Sequence, residues 1–174
     1  PGRGGLFFTA DDAERLLVRR KEAADNAVPS ANSVALLNLL RLARLTGRAD
    51  LEEKAQAIAN AFSSEVRQAP LAYTQFLVGV DFALAPSGEV VVVGRADARD
   101  TQAMLCALRS RYVPHCVLLF RPSGEAAPDI TRLAPFTREQ TAISGKATAY
   151  VCRRHACEQP TTDPAEMIEL LERR

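Results

Sequence analysis

Between Lys21 and Asn32 the chain concentrates side chains that could do chemistry: Lys21, Glu22, Asp25, Asn26, Ser30 and Asn32 lie within one connection. Two carboxylates held together can divide the acid and base roles of a reaction on a sugar or similar polyol. The same residues also suit a hydrogen-bonded loop entering a helix, because Asp, Asn and Ser bond readily to nearby backbone. On the residues alone the capped loop is the better reading. Cys152, His155 and Cys157 form a second cluster. Structural zinc takes four ligands in recognisable pairs, and three at this spacing fall short, so no metal is expected. Four residues separate the two cysteines, against the two of a CxxC redox motif, which also argues against a redox pair. Val93-Gly94 follows an apolar run, yet a dinucleotide fingerprint needs three glycines, and Asp97 would repel phosphate. No cofactor is expected.

The elements that must hold these residues follow from periodicity. Leu6 to Thr9 and Leu16 to Arg19 are apolar patches around Asp11, Asp12 and Glu14, the pattern of a loose hairpin. Asp25 to Ser33 is rich in turn formers, and Asn32 or Ser33 is placed to cap a helix from about Ser33 to Leu45. Apolar residues surround most of that helix, which predicts packing on more than one side, and Gly47 ends it. A second helix is predicted from Leu51 to Val66, capped by Asp50 with Glu53 three residues on, and facing inward with Leu51, Ala55, Ile58, Ala59 and Phe62. A third should start at Pro70 and bury Tyr73, Leu77, Val80 and Leu84.

Character changes near Pro86. Val90 to Val93 and Cys116 to Phe120 read as buried strands. The helix between them presents Met104, Leu105, Leu108 and Tyr112, and strand, helix, strand at this spacing is a βαβ unit with parallel pairing and a right-handed crossover. A third strand is expected from Ala147 to Cys152 and a last helix from Pro164 to Glu172, capped by Asp163. The expected division is a helical segment, residues 1–86, and a small α/β domain, residues 87–174.

The bulk numbers exclude several classes. Twenty-two basic and 21 acidic residues leave a net charge of +1, which gives no electrostatic reason to invoke nucleic acid or a membrane surface. No apolar run approaches the ~20 residues of a membrane helix; Val34 to Leu45 is broken by Asn38, Arg41 and Arg44. Four cysteines are too few for a secreted disulfide scaffold, so reduced thiols in a cytoplasmic protein are expected. The chain opens Pro1-Gly2-Arg3 without Met, as a piece of a longer protein would.

Longer motifs add a resemblance. Gly4 to Thr9, Arg20-Lys21-Glu22, Asp25 to Ser33, Asn38 to Leu42, Ala107-Leu108-Arg109, Tyr112-Val113-Pro114, Gly145 to Cys152, Ala156-Cys157 and Pro160 to Asp163 occur in this order. In them the chain resembles the C-terminal part of the thioredoxin-domain-containing, spermatogenesis-associated protein 20-like family. Two positions depart from that pattern, Asn26 and Ala31, where glycine is usual. The resemblance implies α plus α/β architecture: closing helical hairpins of an α/α toroid of six-hairpin glycosidase type, then a small βαβ-containing three-layer unit. It implies, as partners, the remainder of the full-length protein, a thioredoxin-like domain included.

Two functions follow from it. One is a non-catalytic structural or interaction portion. The other is part of a carbohydrate-processing, epimerase- or glycosidase-like site with Glu22 and Asp25 as acid and base and Lys21, Ser30 and Asn32 as substrate contacts. If the rest of the toroid is missing, apolar side chains such as Phe76 and Phe82 should lie exposed or be covered by a second copy, giving a homodimer through the helical segment.

Overall fold

In the computed structural model, residues 4–14, 16–86, 88–124, 129–153 and 156–173 are described. They form six α-helices and one four-stranded mixed sheet, and divide into two compact units. The first comprises residues 4–43 and 48–84; the second comprises 44–47 and the described residues from 85 onward.

The first unit is built from α1 (Ala31–Thr46, its last turn counted with the second unit), α2 (Ala49–Gln68) and α3 (Thr74–Leu84). Leu36, Leu37 and Leu40 of α1 are buried, as are Ala55, Ile58, Phe62 and Val66 of α2 and Phe76 and Phe82 of α3. The Phe62 and Phe76 rings meet edge to face at 6.1 Å, a favourable aromatic geometry. Gly79 lets α3 approach α1 closely: a Cβ there would stand 2.8 Å from Cγ of Leu36.

Several expectations are corrected here. α1 begins at Ala31, so Asn32 and Ser33 lie inside it, and Ser30 is the residue whose hydroxyl accepts from the Ser33 N–H, at 3.1 Å. α2 begins at Ala49, which puts Asp50 in its first turn, bonded to Arg48 and Lys54 instead of capping. Those bonds, the Arg48 bond foremost, hold the Asp50 carboxyl down at about 2. Pro70 opens a short 3₁₀ turn, Pro70–Ala72, and α3 starts only at Thr74. Its buried stripe is Phe76, Gly79 and Phe82, while Leu77 and Leu84 are exposed. α3 is apolar nearly all round, so periodicity could not choose a face; the two large rings and the close approach at Gly79 decide it. Phe76 and Phe82, expected to lie exposed or to be covered by a second copy, are instead buried within the chain itself. Residues 6–9 and 16–19 form no strands; they are joined by side-chain bonds from Arg19 to Thr9, beside a backbone bond from Phe8 N–H to Arg20 O.

In the second unit the strand order is β2-β1-β3-β4. β1 (Gly88–Gly94) pairs parallel with β2 (Cys116–Pro122), as the apolar runs predicted, and antiparallel with β3 (Thr148–Arg153). β3 pairs with the two-residue β4 (Ala156–Cys157). α4 (Arg99–Arg109) and α6 (Pro164–Glu172) share one core with the sheet: Met104, Leu105 and Leu108, Met167, Ile168 and Leu170, packed on Val90, Val92, Ala149 and Val151. The short α5 (Ile130–Leu133) and a 3₁₀ turn, Pro135–Thr137, follow β2. Tyr112 lies beyond α4 and is exposed, and β2, at the sheet edge, is only partly buried, with Leu118 turned outward. Asp163 caps α6 as expected, accepting from Ala165 N–H at 2.8 Å. Asp100 ties α4 to the start of β3, accepting from Thr101 N–H and Ala147 N–H, and these bonds, that of Ala147 foremost, lower its pKa.

The reduced-thiol expectation is also corrected: Cys152 and Cys157 are joined as a disulfide. They stand opposite each other in the β3–β4 ladder, which brings the sulfurs together despite a spacing that no CxxC motif has. His155, the third member of the expected cluster, lies outside the described residues.

Gly94 ends β1 where α4 passes closest. A Cβ there would sit 2.3 Å from Thr101 Oγ1 and 3.2 Å from Ala147 Cβ. Gly94→Ala is expected to destabilise the protein by about 1–3 kcal/mol through overpacking, read as a lower urea midpoint at unchanged slope.

Candidate functional site

The loop before α1 is ordered by side chains that bond to backbone. Asp25 receives three N–H groups: Ser30 at 2.8 Å on Oδ1, then Gln75 at 2.9 Å and Phe76 at 3.3 Å on Oδ2. Its own N–H donates to Ala72 O at 2.7 Å. One carboxylate thus closes the turn into α1 and caps the first turn of α3, where N–H groups lack partners within the helix. Asn32, 2% exposed, accepts from Leu6 N–H at 2.6 Å and donates to Leu6 O and Glu22 O. Ser33 donates to Ala23 O, and Ser30 donates to Ser33 Oγ. Lys21 donates to Gly4 O at 2.6 Å with its ammonium over the Phe7 ring, and the Arg19 guanidinium lies over the same ring.

A hollow of about 180 Å³ opens beside this network. Glu22, Ser30 and Asn32 are among its lining residues, with Phe7 and Phe8; Lys21 and Asp25 are not. Three of the five candidate residues are therefore brought together, and the two carboxylates do not share the hollow. Glu22 is exposed, and its backbone oxygen is what Asn32 holds. Neither Asn26 nor Ala31 has positive φ; among the described non-glycine residues only Ser144 does, at 52°. The glycines usual at those two positions are not required by the backbone here.

The second unit holds groups that sequence reasoning passed over. Glu89, second residue of β1, is buried, with Arg44 Nη1 3.9 Å from its Oε1. Both line a cavity of about 260 Å³ with Cys152 and Phe136. A lone acid immediately before the β-branched run Val90 to Val93 was the available signal. A wider cleft, about 320 Å³, lies where β1 and β2 begin, lined by His115, Cys116 and Arg153 among others. Burial, then the nearby Glu89 charge, pushes the Cys116 thiol up to about 12, so it stays protonated at neutral pH.

Over 169 residues, 97% of this chain, the sequence is 36% identical to spermatogenesis-associated protein 20 of Homo sapiens. The chain is homologous to spermatogenesis-associated protein 20. Identity to the protein of that name from Mus musculus is 35% over 171 residues, and to an uncharacterised protein of Caenorhabditis elegans 25% over 166 residues. The resemblance drawn from the motifs therefore holds along nearly the whole chain. The chain spans about a fifth of the length of these relatives: 21% of the human spermatogenesis-associated protein 20 and 22% of the mouse and worm proteins. No family model matches the chain, and no solved structure does.

Asp25 and Glu22 separate cleanly by substitution. Asp25→Ala strands three N–H donors and should cost about 3 kcal/mol in chemical denaturation, since bonds to a charged group contribute ~1.5–3 kcal/mol each and part is recovered by water. Glu22→Ala, at an exposed carboxylate, should stay within ~0.5 kcal/mol.

Proposed function

We propose that this chain is a non-catalytic structural and interaction portion of a larger polypeptide. In this reading α1 to α3 are closing helices of an α/α toroid, in a polypeptide that also carries a thioredoxin-like domain and works in the cytoplasm. The observation that carries the reading is Asp25. A carboxylate committed to three backbone N–H groups holds elements together and has little capacity left for a substrate proton. The share of the relatives' length that the chain spans supports a part within a whole.

The first unit also exposes apolar side chains: Leu71 at 92%, Leu84 at 81%, and Val78 about half. Covering each Leu is worth roughly 1.5–3 kcal/mol. The remainder of the longer polypeptide is the occupant this reading assigns to them, and in the isolated chain a second copy takes its place.

A second reading, a carbohydrate-processing site, draws on the hollow that Glu22 lines together with Phe7 and Phe8. At about 180 Å³ the hollow is small beside the ~300–1,000 Å³ of typical ligand sites, which favours the first reading.

Sedimentation equilibrium of the 174-residue chain should show self-association at micromolar concentration. Leu71→Asp combined with Leu84→Asp should abolish it. A monomer at all concentrations would remove the interaction role. Saturable chemical-shift changes with monosaccharides, lost in Glu22→Gln, would replace the first reading with the second.

A further inference from the structure

Three side chains stand in one row across the sheet. Glu89 of β1 is the register partner of Cys152 of β3, and Cys152 is the register partner of Cys157 of β4. Directly opposed residues in antiparallel strands point to the same face, with Cβ atoms about 4.5–5.5 Å apart. Glu89 and Cys152 are buried, at 5% and 4% exposure, while Cys157 is exposed. Glu89 and Cys152 also line the same cavity of about 260 Å³. The row thus runs from an interior carboxylate, through an interior sulfur, to a sulfur at the surface.

We propose that Glu89, Cys152 and Cys157 form a thiol–disulfide exchange site, with Cys157 attacked from solvent and Glu89 carrying the proton of the buried Cys152. The co-reactant is a small thiol, RSH. Its thiolate attacks Cys157 Sγ, the exposed end of the disulfide. An R–S–S–Cys157 bond forms, the Cys152–Cys157 bond breaks, and its electron pair leaves on Cys152 Sγ. A thiolate released inside the protein must be neutralised, and the Glu89 carboxylate, on taking a proton from solvent, passes it to Cys152 Sγ directly or through one water in the cavity. A second RS⁻ displaces Cys157 as thiolate, which takes its proton from solvent. The balance is two RSH plus the disulfide giving RSSR plus two protein thiols. Closing runs in reverse. The Glu89 carboxylate takes the Cys152 proton, and the Cys152 thiolate attacks Cys157 Sγ and expels RS⁻.

The other two cysteines do not compete for the role. Cys116 is held protonated by its burial. Cys106 is exposed on α4, away from the row, and is removed as Cys106→Ser for the test.

The test equilibrates that 174-residue chain with glutathione at varied ratios of reduced to oxidised form. Acid quenching and peptide mass analysis then locate the sulfurs, with circular dichroism recorded alongside. The expected result is reversible opening without loss of fold, with glutathione trapped on Cys157. Reduction only in denaturant, or glutathione on Cys152, overturns the proposal. Loading glutathione on Cys157 then allows the closing step to be timed. Glu89→Gln should slow closure at pH 7 about tenfold or more, with Glu89→Asp recovering part of the rate. A merely neighbouring negative charge predicts the opposite sign, because removing it would ease formation of the Cys152 thiolate. Closure unchanged or faster in Glu89→Gln therefore overturns the role of Glu89. If that variant does not fold, the pH profile of the parent chain decides. A rate that levels off below about pH 7 supports a carboxylate base, and one that climbs to the thiol range near ~8.5 overturns it.

Discussion

Strand β1 has neighbours on both edges, and all of its residues are buried, so every one of its backbone and side-chain groups must be satisfied within the protein. Val90 and Val92 meet that demand on the face shared with α4 and α6, and Val91 and Val93 are equally buried on the other. Gly94 lets Thr101 and Ala147 close over its end. Glu89 is the exception in chemistry. An ionised carboxylate is costly to bury without charged or polar neighbours, and it brings Arg44 to 3.9 Å. The register that buries the valines is the same register that sets Glu89 opposite Cys152. Core packing and the chemistry of the row are therefore one constraint: a one-residue slip would turn Glu89 to the other face and separate the two.

The first unit solves a different problem. Its loop before α1 contains little regular structure, so side chains must supply the partners that a ladder would. Asn32 closes the chain from residues 6 to 22 against itself, and Asp25 joins that loop to a helix fifty residues later in the chain. Polar density that reads as chemistry in one dimension is, in three, mostly the satisfaction of backbone donors.

What the sequence discloses divides along the same line. β1, β2, α4 and the Asp163 cap were legible because local patterns specify them: a β-branched run, a helical face, an acid just before Pro164. The parallel pairing of β1 and β2 followed from a crossover that no tight turn can replace. The buried face of α3 was not legible, because both of its stripes are apolar and a partner outside the helix, Asp25, sets its first turn. Nor was the disulfide, since the separation of 5 between Cys152 and Cys157 resembles no motif and becomes informative only once the two strands pair. Of the five candidate site residues, sequence grouped all; the structure keeps Glu22, Ser30 and Asn32 around one hollow, while Asp25 and Lys21 bond to backbone and do not line it.

The arm from β4 to α6 bears on whether the row can open without unfolding the unit. A disulfide closing so short a loop removes about 2 kcal/mol of unfolded-chain entropy in the chain-entropy account. The arm has other attachments. Ala149 and Thr161 exchange both backbone bonds, at 2.8 and 3.1 Å, and Glu158 N–H donates to Val151 O at 2.9 Å. Thr161 bonds the Glu166 carboxylate, and Met167, Ile168 and Leu170 are buried in the core just beyond. Burial of those three side chains is worth roughly 1.5–3 kcal/mol each, more together than the disulfide removes. The arm is held by packing and backbone bonds, and Cys157 lies at its least buried end, where it meets solvent. A bond so placed can break and re-form while the sheet, α4 and α6 keep their positions, the condition that separates an exchange site from a staple.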